Sequence, residues 1–100
     1  MTATTAEIVL APLTAIPPGE GRTFSVGTER IAVFRTRNGD VFAVQALCPH
    51  KGGPLADGLV GGTTLICPLH GWKFDLASDS CGLRTFPVRV DEASQIVLTL

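Results

Sequence analysis

Hydrophobic and polar residues alternate along much of this chain of 100 residues, which is the pattern of half-buried β-strands. Three strands rich in branched and aromatic residues are predicted at 7–11, 22–26 and 30–37. Asn38-Gly39 predicts a tight hairpin, because both residue types tolerate a positive φ, and its returning strand is 40–47. Further strands are predicted at 63–66, 72–76, 85–90 and 96–100, with the last two forming a hairpin.

The composition changes between residues 48 and 82, where seven of the eleven glycines lie. Glycine at this density predicts tight turns and backbone that packs closely around something. We interpret this segment as a small subdomain inserted in the sheet. No stretch has a sustained helical period, so the sequence predicts an all-β fold, an antiparallel sandwich or partly open barrel. A chain of this length is expected to form a single domain, residues 1–100.

Charge and composition narrow the class of partner. A formal net charge of −1 argues against nucleic acid or an anionic membrane surface, because both require a basic protein surface. No run of about 18 apolar residues is present, and the N-terminus has no basic region followed by an apolar segment. Three cysteines, an odd number, fit a reducing compartment better than a disulfide framework. We therefore expect a cytoplasmic protein that binds neither nucleic acid nor a membrane.

Two Cys–His pairs carry the candidate chemistry. Cys48 and His50 form the first pair, and Cys67 and His70 form the second after sixteen intervening residues. Both histidines and two of the three cysteines of the chain lie in these Gly/Pro-rich loops. The one- and two-residue spacings let the two side chains of each loop converge on one point without a helix. The sequence therefore predicts that these four residues bind an inorganic centre.

The ligand set leaves two kinds of centre open. A single zinc ion accepts two thiolates and two imidazoles tetrahedrally, which would make the protein a structural interaction module. The usual zinc spacings pair Cys with Cys and His with His, often on a helix, whereas each loop here supplies one of each. A [2Fe–2S] cluster explains the mixture better, because each loop then gives a thiolate to one iron and an imidazole to the other. Two neutral imidazoles in place of thiolates raise the reduction potential.

The two loops resemble the cluster loops of Rieske-type [2Fe–2S] proteins. The matching segments are 48–55 (CPHKGGPL) and 67–75 (CPLHGWKFD). The hairpin before them and the terminal strands also resemble that family, so the match covers nearly the whole chain. By this resemblance Cys48 and Cys67 bind the inner iron, and His50 and His70 bind the outer, solvent-facing iron of one cluster per chain. The implied fold is a Rieske-type antiparallel β-sandwich with a small inserted cluster-binding subdomain at about 48–82.

The loops differ from those of the high-potential respiratory and photosynthetic members of that family. Those members carry an extra cysteine in each loop, and Gly53 and Leu69 stand where these would be expected. Those members also place hydroxyl donors near the cluster, whereas this chain has Trp72 at the position expected for a serine and has no tyrosine. With fewer hydrogen-bond donors to the cluster sulfurs, the reduced form of the cluster is less stabilised. We therefore expect a reduction potential at the low end of the Rieske range. The 100 residues hold no catalytic iron domain, so an oxygenase large subunit is not expected.

Two classes of electron carrier remain. One is the small subunit of an assimilatory NAD(P)H-dependent nitrite reductase, whose partner is a large subunit with flavin and siroheme. The other is a free Rieske ferredoxin that carries electrons from a flavin reductase to a ring-hydroxylating dioxygenase. Segments 50–55, 67–72 and 84–90 are more similar to the nitrite reductase group, although Ser78-Asp79 replaces its common Thr-Gly turn. We therefore predict the nitrite reductase subunit, with no catalytic activity alone, and expect Cys81 to be a buried structural thiol.

Overall fold

The computed structural model describes residues 7–47, 54–66, 73–76 and 83–99, and the strands in these ranges pair antiparallel throughout. The strands are β1 (Glu7–Pro12), β2 (Glu20–Val26), β3 (Glu29–Arg35), β4 (Val41–Gln45), β5 (Leu59–Gly61), β6 (Thr64–Ile66), β7 (Lys73–Asp75), β8 (Thr85–Phe86), β9 (Val88–Val90) and β10 (Gln95–Thr99). They form three sheets, ordered β1-β10-β9, β2-β3-β4-β8 and β5-β6-β7. The only helical pieces in the described ranges are 3₁₀ turns at Leu13–Ala15 and Leu55–Asp57. The predicted all-β antiparallel class is confirmed.

The four-stranded sheet is the middle layer, because its strand β3 is buried on both faces. Ile31 and Val33 point to one side and pack in a core shared with β10. Ala32 and Phe34 point to the other side and pack in a core shared with the sheet β5-β6-β7. Successive residues of a strand face opposite ways, so a strand covered on both sides is an uninterrupted apolar run. This layer supports the small sheet that flanks the predicted ligand loops.

The hairpin predicted at Asn38-Gly39 connects β3 to β4, but its turn is longer than a two-residue loop. The Gly39 N–H donates to the Thr36 carbonyl at 3.0 Å, and the Thr36 N–H donates to the Asp40 carbonyl at 2.8 Å. Only Gly39 in this turn has a positive φ, of 93°. The Thr36 hydroxyl, on a side chain that is almost completely buried, accepts the Asp40 N–H at 3.1 Å. The side chain thus adds a third hydrogen bond to a turn that two backbone bonds already close.

The predicted strand 85–90 is two strands in the structure. β8 pairs with β4 in the middle sheet, whereas β9 pairs with β10, so the chain changes sheets at Pro87. Proline has no N–H for a sheet ladder, which is why pairing stops there. The Pro87 carbonyl still accepts the Thr99 N–H at 2.9 Å. The predicted last hairpin is therefore formed by β9 and β10 without β8.

The segment predicted as an inserted subdomain contains the separate sheet β5-β6-β7. β5 was not predicted, because three residues between glycines give too short a pattern. The domain boundaries at 1–100 and about 48–82 remain predictions. None of the described helical turns has the length and apolar composition of a membrane span.

Candidate metal centre

The four predicted ligands, Cys48, His50, Cys67 and His70, lie outside the described residues, as does Cys81. The structure instead describes the polypeptide on both sides of the two loops that contain them. Within the described ranges, no group of three or more His, Cys, Asp or Glu side chains lies together. The structural question is therefore how the chain holds these two loops.

Each ligand loop begins and ends beside a pair of opposed residues, which we call its neck. The first neck is the antiparallel bridge between Leu47 and Pro54. The second neck is the pair formed by Ile66 of β6 and Lys73 of β7. Opposed residues of antiparallel chains have Cα atoms about 4.5–5.5 Å apart. Each loop of six residues, 48–53 or 67–72, is therefore closed at its base by backbone pairing.

The 3₁₀ turn Leu55–Asp57 joins the two necks. At its start the Leu55 N–H donates to the Ala46 carbonyl at 2.9 Å, beside the first neck. At its end the Gly58 N–H donates to the Leu55 carbonyl at 2.9 Å, and the backbone of Gly58 lies against the Ile66 carbonyl of the second neck. The three residues of this 3₁₀ helix rise only about 6 Å. The two necks therefore lie close together.

Gln45 ties the first neck to the chain segment that follows residue 82. Its side-chain amide donates to the Leu47 carbonyl at 2.8 Å. The side-chain carbonyl of Gln45 accepts the backbone N–H of Arg84 at 2.9 Å, and the backbone N–H of Gln45 donates to the Arg84 carbonyl at 2.8 Å. The sequence alone does not predict the role of Gln45, because no local pattern relates it to a partner 39 positions away. Nor does it predict the role of Gly58, although the high density of glycine in this segment is a signal.

The small sheet has one buried face and one exposed face. Val60, Leu65 and Phe74 lie in one row across its three strands and are buried against the middle layer. The other row, nearest the second ligand loop, is exposed and consists of Leu59, Ile66 and Lys73. The necks therefore stand on an apolar core that fixes their orientation.

Exposed apolar side chains are concentrated beside the two necks. Leu47 is 48% exposed, Leu59 is 65% exposed and Ile66 is 39% exposed. In the described part of the chain, only one other large hydrophobic residue, Val9, is exposed to this degree. We call Leu47, Leu59 and Ile66 the apolar collar. Leu59 and Ile66 are directly opposed in β5 and β6, and neighbouring exposed apolar residues are typical of a surface that contacts another protein.

The donor chemistry of the two loops fits an iron–sulfur cluster bound by two thiolates and two imidazoles. In such a centre the two cysteines bind one iron and the two histidines bind the other. Two closed loops, each with one cysteine and one histidine, supply this set with the same contribution from each side.

Comparison with known proteins agrees with this reading of the site. A profile of the Rieske [2Fe-2S] domain family matches residues 6–94. The cholesterol 7-desaturase nvd of Xenopus laevis is 37% identical over 82 residues, which are 81% of this chain and 18% of that protein. The chain spans less than a fifth of the length of the curated relatives it matches first.

Two solved structures superpose on nearly the whole chain. A Mycobacterium tuberculosis protein assigned as the small subunit of an NADH-dependent nitrite reductase does so with a TM-score of 0.86. Its sequence is 22% identical, and the superposition covers 98% of this chain and 97% of that one. At this level of identity the likeness shows the fold alone. The ferredoxin of carbazole 1,9a-dioxygenase from Nocardioides aromaticivorans has a TM-score of 0.77 and 27% identity, over 92% of this chain and 95% of its own. Because the family profile covers most of its length, the chain belongs to the Rieske [2Fe-2S] domain family, and its cofactor is a Rieske-type [2Fe–2S] cluster.

Proposed function

We propose that this protein is the small subunit of an NAD(P)H-dependent nitrite reductase and passes single electrons to a large subunit that contains flavin and siroheme. The observation that carries the proposal is the pair of closed ligand loops on joined necks, each with one cysteine and one histidine. When bound, a Rieske cluster supplies reversible one-electron chemistry. A cytoplasmic location is part of the proposal and rests on the odd cysteine count.

In this proposal the residues of the chain hold the cluster and present it to a partner. Cys48 and Cys67 would bind the inner iron, and His50 and His70 would bind the outer iron. The necks set where each loop starts, and the buried sheet beneath them excludes water from that side. The apolar collar offers the partner a desolvated contact surface around the loops.

Two observations support the nitrite reductase role. The Mycobacterium tuberculosis structure superposes on almost the whole chain, so the chain has the fold of such a subunit. Segments 50–55, 67–72 and 84–90 carry the sequence resemblance, including the residues CPLHGW of the second loop.

A second candidate is a free ferredoxin that supplies a ring-hydroxylating dioxygenase. The carbazole dioxygenase ferredoxin supports it, with a higher sequence identity of 27% and nearly complete coverage of both chains. The two roles use the same cluster and differ in the partner that docks on the collar. The experiment must therefore identify the partner as well as the cofactor.

The cofactor is tested by electron paramagnetic resonance (EPR) of the anaerobically reduced protein together with iron and sulfide analysis. We expect a Rieske signal and about two irons and two sulfides per chain. Cys48→Ser, Cys67→Ser, His50→Ala and His70→Ala should each abolish the signal, whereas Cys81→Ser should retain it as the matched control. A native spectrum from any one of the four ligand variants would contradict the ligand assignment. A colourless, EPR-silent protein with one zinc would make the chain a structural module.

The partner is tested by mixing the reduced protein with each candidate system and following reoxidation of the cluster optically. With a nitrite reductase large subunit in catalytic amount, we expect rapid and complete reoxidation only when nitrite is present to take the electrons on. Reoxidation by a dioxygenase with its aromatic substrate, and none by the nitrite reductase, would instead establish the ferredoxin role.

A further inference from the structure

Gly58 lies between the two ligand loops, and we propose that it is a positioning residue for the cluster. It leaves room for the carbonyl of Ile66, whose carbon is bonded to the nitrogen of Cys67, and so sets the distance between the second loop and the first. The inference rests on the assignment of Cys67 as a ligand. It is independent of which redox partner the protein serves.

The backbone around Gly58 leaves no space for a side chain. A Cβ on Gly58 would overlap the Ile66 carbonyl oxygen and would lie 3.2 Å from the Leu55 carbonyl oxygen and 3.1 Å from Leu65 Cδ1. The φ and ψ of Gly58 are −77° and 173°, an extended conformation that any residue adopts. Glycine is therefore required here for space and not for backbone freedom. Replacement by alanine tests that space alone.

A side chain added at Gly58 would displace backbone next to both ligand loops. On one side the added Cβ would push against the Ile66 carbonyl, which directly precedes the second loop. On the other side the added Cβ would push against the Leu55 carbonyl, which accepts the Gly58 N–H. The Leu55 N–H donates in turn to the carbonyl of Ala46, which lies just before the first loop. Leu55 is fully buried and cannot yield outward. An added methyl group therefore changes the separation of the loops whichever side moves.

Two other glycines provide matched controls for the same substitution. Gly61 is three residues further along, in β5, and a Cβ there would meet nothing within 4 Å. Gly21, in β2, would place its Cβ 2.5 Å from the Phe34 ring, and the three atoms nearest to that Cβ belong to Phe34 and Val33 of the middle layer and not to a neck. Gly61→Ala reports the effect of the substitution without crowding. Gly21→Ala reports crowding of the fold without contact with either neck.

The experiment compares the three cluster-containing variants by EPR, midpoint potential and the rate of cluster release in excess iron chelator. For Gly58→Ala we expect shifted g values, a shifted potential and release about tenfold faster, at the lower end of the effect of changes to groups that orient metal ligands. Gly61→Ala should match the wild type in all three, and Gly21→Ala should melt earlier with unchanged g values and potential. Wild-type g values, potential and release rate in Gly58→Ala would overturn the proposal.

A second variant decides the matter if Gly58→Ala does not fold. Leu55→Val shortens the buried anchor of the turn and leaves the glycine in place, so we expect faster cluster release and altered g values. Wild-type behaviour of that variant would also overturn the proposal. Failure of the proposed partner role has a different signature, a normal cluster in the wild type without electron exchange with nitrite reductase. Failure of the ligand assignment would appear as a native spectrum in Cys67→Ser.

Discussion

Replacing Gly21 with alanine tests how tightly the middle layer is packed beneath the ligand loops. Gly21 of β2 is directly opposite Phe34 of β3, whose side chain is fully buried. An added Cβ would lie 2.5 Å from both Cδ1 and Cε1 of the ring and 3.2 Å from the Val33 carbonyl oxygen. The ring covers the glycine, so the methyl group can be accommodated only if the ring or the edge strand moves.

The size of the effect follows from two opposing contributions. Overpacking of a dense core destabilises a protein by about 1–3 kcal/mol. Replacing glycine by alanine also restricts the unfolded chain, which stabilises the fold by about 0.4–1 kcal/mol. The net loss should be about 1–2 kcal/mol, and for a domain of this size that lowers Tm by about 5–15 °C.

A double-mutant cycle shows whether the Phe34 ring is the cause. Phe34→Leu removes the ring atoms that the new methyl group meets, so Gly21→Ala should be less destabilising in that background. We expect a coupling free energy of about 1 kcal/mol from urea unfolding of the cluster-containing variants. The reasoning fails if Gly21→Ala melts within about 2 °C of the wild type. It also fails if the two single effects add within about 0.5 kcal/mol.

Three further substitutions test the turn, the collar and the first neck. Thr36→Val should lower the free energy of unfolding in urea by about 1–3 kcal/mol, because the Asp40 N–H loses its acceptor, and a loss below about 0.5 kcal/mol would contradict this. Leu59→Ser should weaken partner binding about fivefold with an unchanged EPR spectrum, whereas Val9→Ser, on an exposed residue of the other outer sheet, should bind normally. Equal binding by both variants would exclude the collar as the docking surface. Gln45→Met should destabilise the fold by about 1 kcal/mol and speed cluster release in chelator, and a wild-type release rate would show that its side-chain bonds do not support the neck.

The features predicted from sequence are those set by neighbouring residues. Alternation of apolar and polar positions located most strands, and Asn38-Gly39 located the β3–β4 hairpin. The division of the segment 85–90 was also within reach, because a proline inside a strand pattern indicates a break in pairing. By contrast, β1 pairs with β10 at the far end of the chain. No local sequence pattern predicts this pairing, because it joins two strands at opposite ends of the chain.

The candidate site divides in the same way between local and distant information. The types of ligand and their spacing lie within two short segments, so the donor set can be predicted from sequence. The relative placement of the necks depends on Gly58 against Ile66, eight positions apart, and on Gln45 with Arg84, 39 positions apart. Since the groups that orient ligands tune a metal centre, two chains with the same loop sequences can hold clusters of different potential. The residues under the necks should therefore be varied, with the loops unchanged, to establish what sets the potential of this carrier.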